Sequence, residues 1–501
     1  MSRSRHVESL RQALSWLGDE VKYLKGEVSP ILEMTAINKA FDDGPVFVAQ
    51  NIVGYPNARF VASLFGRRDR LHRLMGAGTS KEAARRILQA MKEPLPPLTV
   101  SDAPCQEVLI PGDQVDPFSL FPMVTHTEKD GGRFFGSGVH LLGGRYAGGK
   151  SQLAFYRMSF RGKNFASINM FPGGHGDQIA QQHHRERIPC TVNICPPPMV
   201  ELMAVGSLNP ILFPAVPDEL GMAGALQGAP VALVPAKTVD AYAIAQSEWV
   251  IEGYIVPAER VWETQEAETL GVQGKAMFHP EYAGYMGHAY RGRKFEVTAV
   301  THRKDKPYYY VPHFGSIWPS IPFVAANFLE LGERIAPGFV QDATSMTGLI
   351  GWGGTIIQVK KRRPADEGIQ RNILAAAMGM IRGLRLVVVV DEDVDIHEPE
   401  DVLWAMITRT DPKSDIVFGG GGRGQAFVPS QSAPAAESKG TFGGCMGIDA
   451  TVPLSMRTHF ERSRYAVDRV DFSKWFSAGE IEEMRKQQSE YLRFLGKSGF
   501  G

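Results

Sequence analysis

The sequence is poor in cysteine, in net charge and in long apolar runs, and each shortage excludes something. Only four cysteines occur in 501 residues: Cys105, Cys190, Cys195 and Cys445. That is too few for a disulfide scaffold, and their spacing fits no zinc motif. They read as buried, reduced thiols of a cytoplasmic protein. Lys and Arg number 54, and so do Asp and Glu, which leaves a formal charge of zero. A generic nucleic-acid binder would show a basic excess, and a membrane-surface anchor a polybasic cluster. Neither partner is expected here, whereas near-neutrality leaves self-association open. The N-terminus, MSRSRHVESLRQALSWLGDEV, has no apolar stretch of signal-peptide length. The apolar run at 386–390 is far too short to cross a bilayer.

What remains is an ordinary folding composition. Hydrophobic residues make up 44% and charged residues 22%, far from a disordered chain. At about 150 residues per domain, the length predicts two to four domains.

The pattern changes along the chain. Val7, Leu10, Leu14, Leu17, Val21 and Leu24 recur at mostly three- and four-residue spacing and predict a helix over 6–26. A strand is expected at 46–53. A helix is expected at 81–92, stopped by the proline-rich EPLPPL. From 105 to 315, short apolar runs alternate with Gly/Pro turns, as in a β-barrel or sandwich. A helix is expected within this region at 216–226. After 316, TIIQVKKR, NILAAAMGMI, LRLVVVVDEDVD and PEDVLWAMITR alternate strand with helix, which predicts parallel pairing. The glycine run at 419–422 and the Ser/Pro/Ala-rich stretch after it predict a long loop over 416–450, and a charged helix is expected at 478–495.

One motif misleads. Residues 144–151, GRYAGGKS, fit the phosphate-loop spacing, which needs a helix immediately after it. QLAFYRMSF follows, and it alternates like a strand, so the glycines read as a turn between strands.

Three residue types in the β-rich region could carry chemistry. Gln152 and Arg157 are five apart on a strand-like segment, so alternation puts them on opposite faces unless a bulge intervenes. His175 lies in the turn PGGHG, and Glu219 lies at a helix start. An amide oxygen, an imidazole and a carboxylate suit a divalent ion such as Mg²⁺ or Mn²⁺. A turn histidine and a helix-start charge account for the same residues without a ligand.

The ordered motifs say more. The segment RLVVVVDEDVDIHEPEDVLWAMITRTDP at 385–412 and MGIDAT at 446–451 resemble the UbiD-like decarboxylases. KDGGRFFGSG at 129–138, Phe155-Tyr156-Arg157, Pro217-Asp218-Glu219 with AGALQG at 223–228, and IEGY at 251–254 fall in that family's order. The match runs from about residue 10 to 475.

The resemblance implies reversible, non-oxidative decarboxylation of an aromatic, heteroaromatic or α,β-unsaturated acid, through a covalent adduct with prenylated FMN. It implies a flavin prenyltransferase as cofactor supplier, and Mn²⁺ (or Mg²⁺) with K⁺ at the cofactor phosphate. Carried over by motif, Gln152, His175 and Glu219 become metal ligands, with Gln152 where the family has Asn. Tyr156 and Arg157 join the cofactor site, and Arg157 is also catalytic. A guanidinium is suited to gripping a carboxylate in a bidentate fork. The implied fold is a multidomain α+β and α/β chain. It comprises an N-terminal α/β domain at 1–104, a central split β-barrel flavin domain at 105–315, a C-terminal α/β domain at 316–475, and a terminal oligomer-contact helix at 476–501. Homodimers or homohexamers are implied.

The chain departs from the family at its acid–base motif. The family pattern is roughly P-E-G-P-[FY]-G-[ED]-x-x-G-Y; residues 280–290 read PEYAGYMGHAY. Glu281 matches the first acid, and Met286 falls on the second. Three readings stay open: His279 or His288 delivers the proton, since histidine titrates near neutrality; Glu281 acts alone; or the substrate carries its own activating group. The third would mark a divergent substrate, such as a heteroaryl acid or an aryl-CoA thioester. Two other function classes compete: an FMN-dependent oxidoreductase, and a non-catalytic assembly subunit of the same fold.

Overall fold

The computed structural model describes residues 7–215, 217–312, 317–381, 383–423, 428–432, 442–463, 465–466 and 469–487. The chain forms two compact units, Met1–Phe323 and Val324–Gly501. The fold is mixed α/β and multidomain. Among the described residues, no helix is long and apolar enough to cross a membrane.

The first unit opens with a helix, Leu10–Leu17, whose buried face is Leu10, Ala13, Leu14 and Leu17. Ser9 caps it by accepting from Gln12 N. The helix is shorter than the periodicity predicts. The chain turns at Gly18–Glu20 and continues as a strand, Val21–Val28, parallel to Val46–Ile52. Val21 and Val28 are buried at its ends. The pairing gives their backbone ladder partners that local periodicity cannot foresee. Arg59–Ala62 and Tyr308–Val311 complete this four-stranded sheet. The helix expected at 81–92 is present as Ser80–Lys92, capped by Thr79.

The second sheet of this unit positions the candidate site. It contains β1 (Val108–Pro111), β2 (Gly138–Leu142), β3 (Gln152–Phe155), β4 (Arg157–Phe160), β5 (Phe165–Asn169), β6 (Ile188–Ile194), β7 (Trp249–Trp262) and β8 (Arg291–His302). The order is β3-β2-β6-β7-β8-β5-β4, with β1 also on β8. β3 and β4 are therefore opposite edges of the sheet, yet only Tyr156 separates them in the chain. The sheet must curl until its two edges meet at that residue. Residues 144–151 lie in the connection between antiparallel β2 and β3. No helix follows to aim amides at a phosphate, as the alternation of QLAFYRMSF predicts. The helix expected at 216–226 spans Glu219–Gln227, capped by Asp218, which accepts from Gly221 N at 2.8 Å.

The second unit carries a five-stranded sheet. Gly354–Val359, Leu386–Asp391 and Phe442–Ala450 run parallel, as the strand–helix alternation predicts. The helices Ile369–Met380 and Pro399–Arg409 lie between them in the chain. The loop expected over 416–450 is corrected at both ends: Ile416–Arg423 and Phe442–Ala450 are antiparallel strands. Glycines pair in this ladder because the Ile369–Met380 helix passes close above it. A methyl group on Gly419 would sit 2.6 Å from Met378 Cε. Residues 433–441 of the expected loop lie outside the described residues. The terminal helix is described over Ala478–Gln487, and 488–495 lie outside.

Candidate active site

The break at Tyr156 resets the alternation that would otherwise separate Gln152 from Arg157. Each now begins a strand, on either side of the seam. Two clusters form, one around each.

Arg157 gathers acceptors from three elements. Its Nε and Nη2 donate to Glu263 Oε1 and Oε2, both at 2.7 Å. Nη2 also donates to the His288 carbonyl at 2.9 Å. Nη1 donates to His279 Nε2 at 2.6 Å and to Glu281 Oε1 at 3.4 Å. A guanidinium has five N–H groups, and these five contacts use all of them. The expected bidentate fork therefore exists, but it grips a carboxylate of the chain itself. Phe278 and Tyr290 face the guanidinium carbon at 5.2 and 5.7 Å.

Glu263 is the site residue that sequence reasoning misses. It follows the last residue of β7, is 2% exposed, and also accepts from Tyr290 N at 2.7 Å. In the sequence it stands one residue before Thr264, the cap of the Gln265–Leu270 helix, and resembles an ordinary helix-start charge. The length of β7 and its pairing with β8 deliver it to Arg157, and no local signal marks it. Burial works against the charged Arg157, but the Glu263 carboxylate raises its pKa overall.

His279 and Glu281 come from a hairpin of Met277–Pro280 and Met286–His288. The contacts of His279 settle its protonation. Arg157 can only donate, so Nε2 accepts. The Pro280 carbonyl, 2.8 Å from Nδ1, can only accept, so Nδ1 carries the hydrogen. The ring is therefore a neutral imidazole. Burial and then the Arg157 charge push its pKa down to about 3. Its one N–H, on Nδ1, points at the Pro280 carbonyl. His288 reaches Arg157 through its carbonyl oxygen.

Glu281 differs from both. Burial pushes its pKa up, Arg157 pulls it down, and Glu263 adds a further upward push; the net shift is upward. Gly287 leaves room for it, since a methyl group there would lie 2.7 Å from Glu281 Oε1 and 3.1 Å from the His279 carbonyl. Met286 stands apart from Arg157's acceptors. Its Sδ is 3.6 Å from the Thr127 hydroxyl, which bonds Asp130 Oδ1 at 2.7 Å.

The second cluster surrounds the Tyr156 hydroxyl. Gln152 and Glu219 both bond Leu153, the amide through Nε2 to its carbonyl and the carboxylate from its N–H. Gln152 Oε1 is buried without a hydrogen bond of ordinary geometry. Burial raises the Tyr156 phenol pKa, opposed by the Gln152 amide. Burial likewise pushes Glu219 up to about 8. His175 begins a helix, His175–Gln182, and Gly176 packs against this hydroxyl so closely that a methyl group would sit 1.9 Å from it. Burial and then Lys150 lower the His175 pKa. Among the described residues, no three His, Cys, Asp or Glu side chains form a metal site. A cation here would rest on the Gln152 amide as well as on His175 and Glu219. The buried Oε1 and the buried carboxylate suit that purpose.

Comparison with known proteins decides the family. Three domains described for 3-octaprenyl-4-hydroxybenzoate carboxy-lyase match in order: the N-terminal domain at 18–91, the Rift-related domain at 98–315 and the C-terminal domain at 321–450. The chain belongs to the UbiD family. As a UbiD-family carboxy-lyase it is a decarboxylase. It is 32% identical to a gallate decarboxylase of Lactiplantibacillus plantarum, over 91% of this chain and 96% of that one. Its fold matches the apo 3,4-dihydroxybenzoic acid decarboxylase of Enterobacter cloacae with a TM-score of 0.84 at 29% identity, covering 95% and 99% of the two chains. It also matches the UbiD-class enzyme HmfF of Pelotomaculum thermopropionicum in complex with FMN, with a TM-score of 0.81 at 26% identity, covering 93% and 100%. An evolved dimeric HmfF in complex with prFMN matches at 0.78 and 25%, covering 94% and 100%.

Proposed function

We propose that this UbiD-family enzyme removes CO₂ from a hydroxylated benzoic acid with prenylated FMN as cofactor. The observation that carries the reading is Glu281. It is a shielded carboxyl with a raised pKa, set against an arginine that has no free donor. Losing CO₂ leaves an electron pair on a ring carbon, and side chains are poor electron sinks, which is what the prenylated flavin supplies when bound. The chain's own part is a proton. Glu281 gives its proton to the carbon that CO₂ vacates, and the resulting carboxylate recovers one from water. Burial, the largest influence on Glu281, favours its protonated form. Arg157 stabilises the carboxylate form between turnovers. His279, neutral and tied at both nitrogens, positions Arg157.

Gln152, His175 and Glu219 would hold the cofactor phosphate through Mn²⁺ or Mg²⁺ with K⁺, and Tyr156 stands between these ligands and Arg157. Similarity to the gallate and 3,4-dihydroxybenzoic acid decarboxylases supports a phenolic substrate. The same reading takes the curled sheet as the split barrel of a flavin domain, a prenyltransferase as cofactor supplier, the cytoplasm as location, and the terminal helix as a contact in a homodimer or homohexamer.

The test is co-production with a flavin prenyltransferase, followed by a panel of mono-, di- and trihydroxybenzoates, heteroaryl acids and cinnamates, with CO₂ release measured. Turnover confined to phenolic acids is expected. Protein that retains prenylated FMN yet turns over only heteroaryl acids or cinnamates would overturn the substrate class.

A further inference from the structure

His175 is itself exposed, so its backbone, rather than packing of its ring, sets where it points. That backbone is held by a buried carboxylate two residues further on. We infer that Asp177 is the positioning residue for His175: together with Arg293 it fastens the turn at 173–177 to the curled sheet and so pre-forms the His175 side of the cation site. This rests on His175 as a cation ligand.

The sequence makes the turn and leaves it needing a clamp. Gly173 has a φ of 75°, a left-handed conformation that glycine adopts without strain. Gly174 caps the His175–Gln182 helix and has no side chain to do it with. Asp177, the third residue of that helix, reaches back instead. Its Oδ2 accepts from Gly173 N at 2.9 Å and from Gln181 Nε2 at 2.7 Å.

The other carboxylate oxygen ties the turn to the sheet. Asp177 Oδ1 accepts from Arg293 Nη2 at 2.7 Å, and the two side chains are only 7% and 4% exposed. Arg293 lies on β8, and its Nη1 donates to the Pro257 carbonyl at 2.8 Å. β7 and β8 pair Val256 with Lys294 and Arg260 with Arg293, so residues 257–259 bulge out between consecutive ladder partners. A proline is tolerated there because it has no N–H to withhold from the ladder. Its carbonyl is left to meet the guanidinium. Bulge, arginine and carboxylate thus form one link from the central strands to the turn.

A buried pair of this kind is costly to break from one side, because the remaining charge is stranded. It therefore holds the turn in one place whether or not a cation is bound. Gly176 limits the same turn from another side, where the Tyr156 hydroxyl leaves no room for a methyl group. An exposed ligand on a clamped turn keeps its geometry before the cation arrives.

The test titrates Mn²⁺ into protein loaded with FMN and follows free Mn²⁺ by electron paramagnetic resonance, so no substrate or turnover is needed. His175→Ala sets the size of losing the ligand itself. Asp177→Ala should raise the Mn²⁺ dissociation constant roughly tenfold. Asp177→Asn, which keeps an acceptor for Gly173 N and loses the charge, should raise it less. Arg293→Ala should match Asp177→Ala, and the double variant should be no worse than either, because both act through one link. Glu252→Gln controls for loss of stability alone. Glu252 is also a buried carboxylate of β7, but it accepts from Lys237 N and Thr238 N, at 2.9 and 2.7 Å. That variant should unfold at lower denaturant and bind Mn²⁺ as the unaltered protein does. If Asp177→Ala does not fold, Asp177→Asn and Gln181→Ala carry the same titration. Unchanged Mn²⁺ affinity in folded Asp177 variants overturns the inference, and so does an equal loss in Glu252→Gln. Unchanged affinity in His175→Ala overturns it as well, by removing the ligand that Asp177 is held to position. Weakened Mn²⁺ binding in Asp177→Ala, without decarboxylation of any acid by the unaltered holoenzyme, upholds it and overturns the proposed function instead.

Discussion

Arg157 and Glu263 meet as a two-point pair: Nε to Oε1 and Nη2 to Oε2, both at 2.7 Å, with the glutamate side chain fully buried. Breaking such a pair from one side strands a buried charge. Arg157→Ala should cost about 3 kcal/mol of stability and still fold. Adding Glu263→Gln to it should return part of that loss, because the stranded charge is gone. Denaturant unfolding of the single and double variants measures both; a double variant less stable than Arg157→Ala contradicts the pairing.

Arg157→Lys keeps the charge and loses the five-donor fork. One ammonium cannot reach Glu263 twice, His279, the His288 carbonyl and Glu281 together. Its kcat should therefore fall nearly as far as that of Arg157→Ala, by at least about a hundredfold. Near-normal turnover of Arg157→Lys would show that charge alone suffices.

The His279 ring should stay neutral throughout the working range of the enzyme. Its pKa is pushed down to about 3, so protonation begins only far below neutrality. Nitrogen-15 NMR of labelled protein should show the Nδ1–H form unchanged from about pH 5 to 8. A ring that titrates in that window would restore His279 as a proton donor.

Glu281 sets a limb of opposite sense. Its pKa is raised, and the protonated form is the active one, so decarboxylation should decline as pH rises through that raised value. Glu281→Gln should abolish turnover at every pH while the protein still retains cofactor. Gly287→Ala, which forces the Glu281 side chain aside, should lower kcat with little change in KM. Steady-state profiles of the three proteins decide this.

The second cluster predicts a cofactor-retention phenotype. Glu219→Ala should lose flavin absorbance on desalting in the presence of Mn²⁺, with the fold intact by circular dichroism. Gly176→Ala drives a methyl group into the Tyr156 hydroxyl and should have the same effect, partly relieved by Tyr156→Phe. Full retention by Glu219→Ala would remove it from the ligand set.

Much of the fold is legible in the sequence because its signals are local. The Thr79 and Asp218 caps, the proline stop after Lys92, and the alternation of strands and helices in the second unit all act within a few residues. Residues 21–28 carry a helical period yet form a strand, because pairing with Val46–Ile52 outweighs that period. The glycine run at 419–422 reads as a loop because the reason for it, a helix overhead, lies some forty residues away in the chain.

The site divides in the same way. Residue order alone specifies which side chains are available: Arg157, Glu281 and His279, with Gln152, His175 and Glu219, and a thioether at 286. What they do depends on folding. A strand break at one residue puts Gln152 and Arg157 on two edges of one curled sheet. A fourteen-residue strand carries Glu263 to Arg157 across 106 positions. That contact consumes the fork which the sequence offers to a substrate. Protonation lies beyond the sequence for the same reason: a histidine is a donor or an acceptor only once its two neighbours are known. Here an arginine and a carbonyl, brought together by folding, leave it a single state.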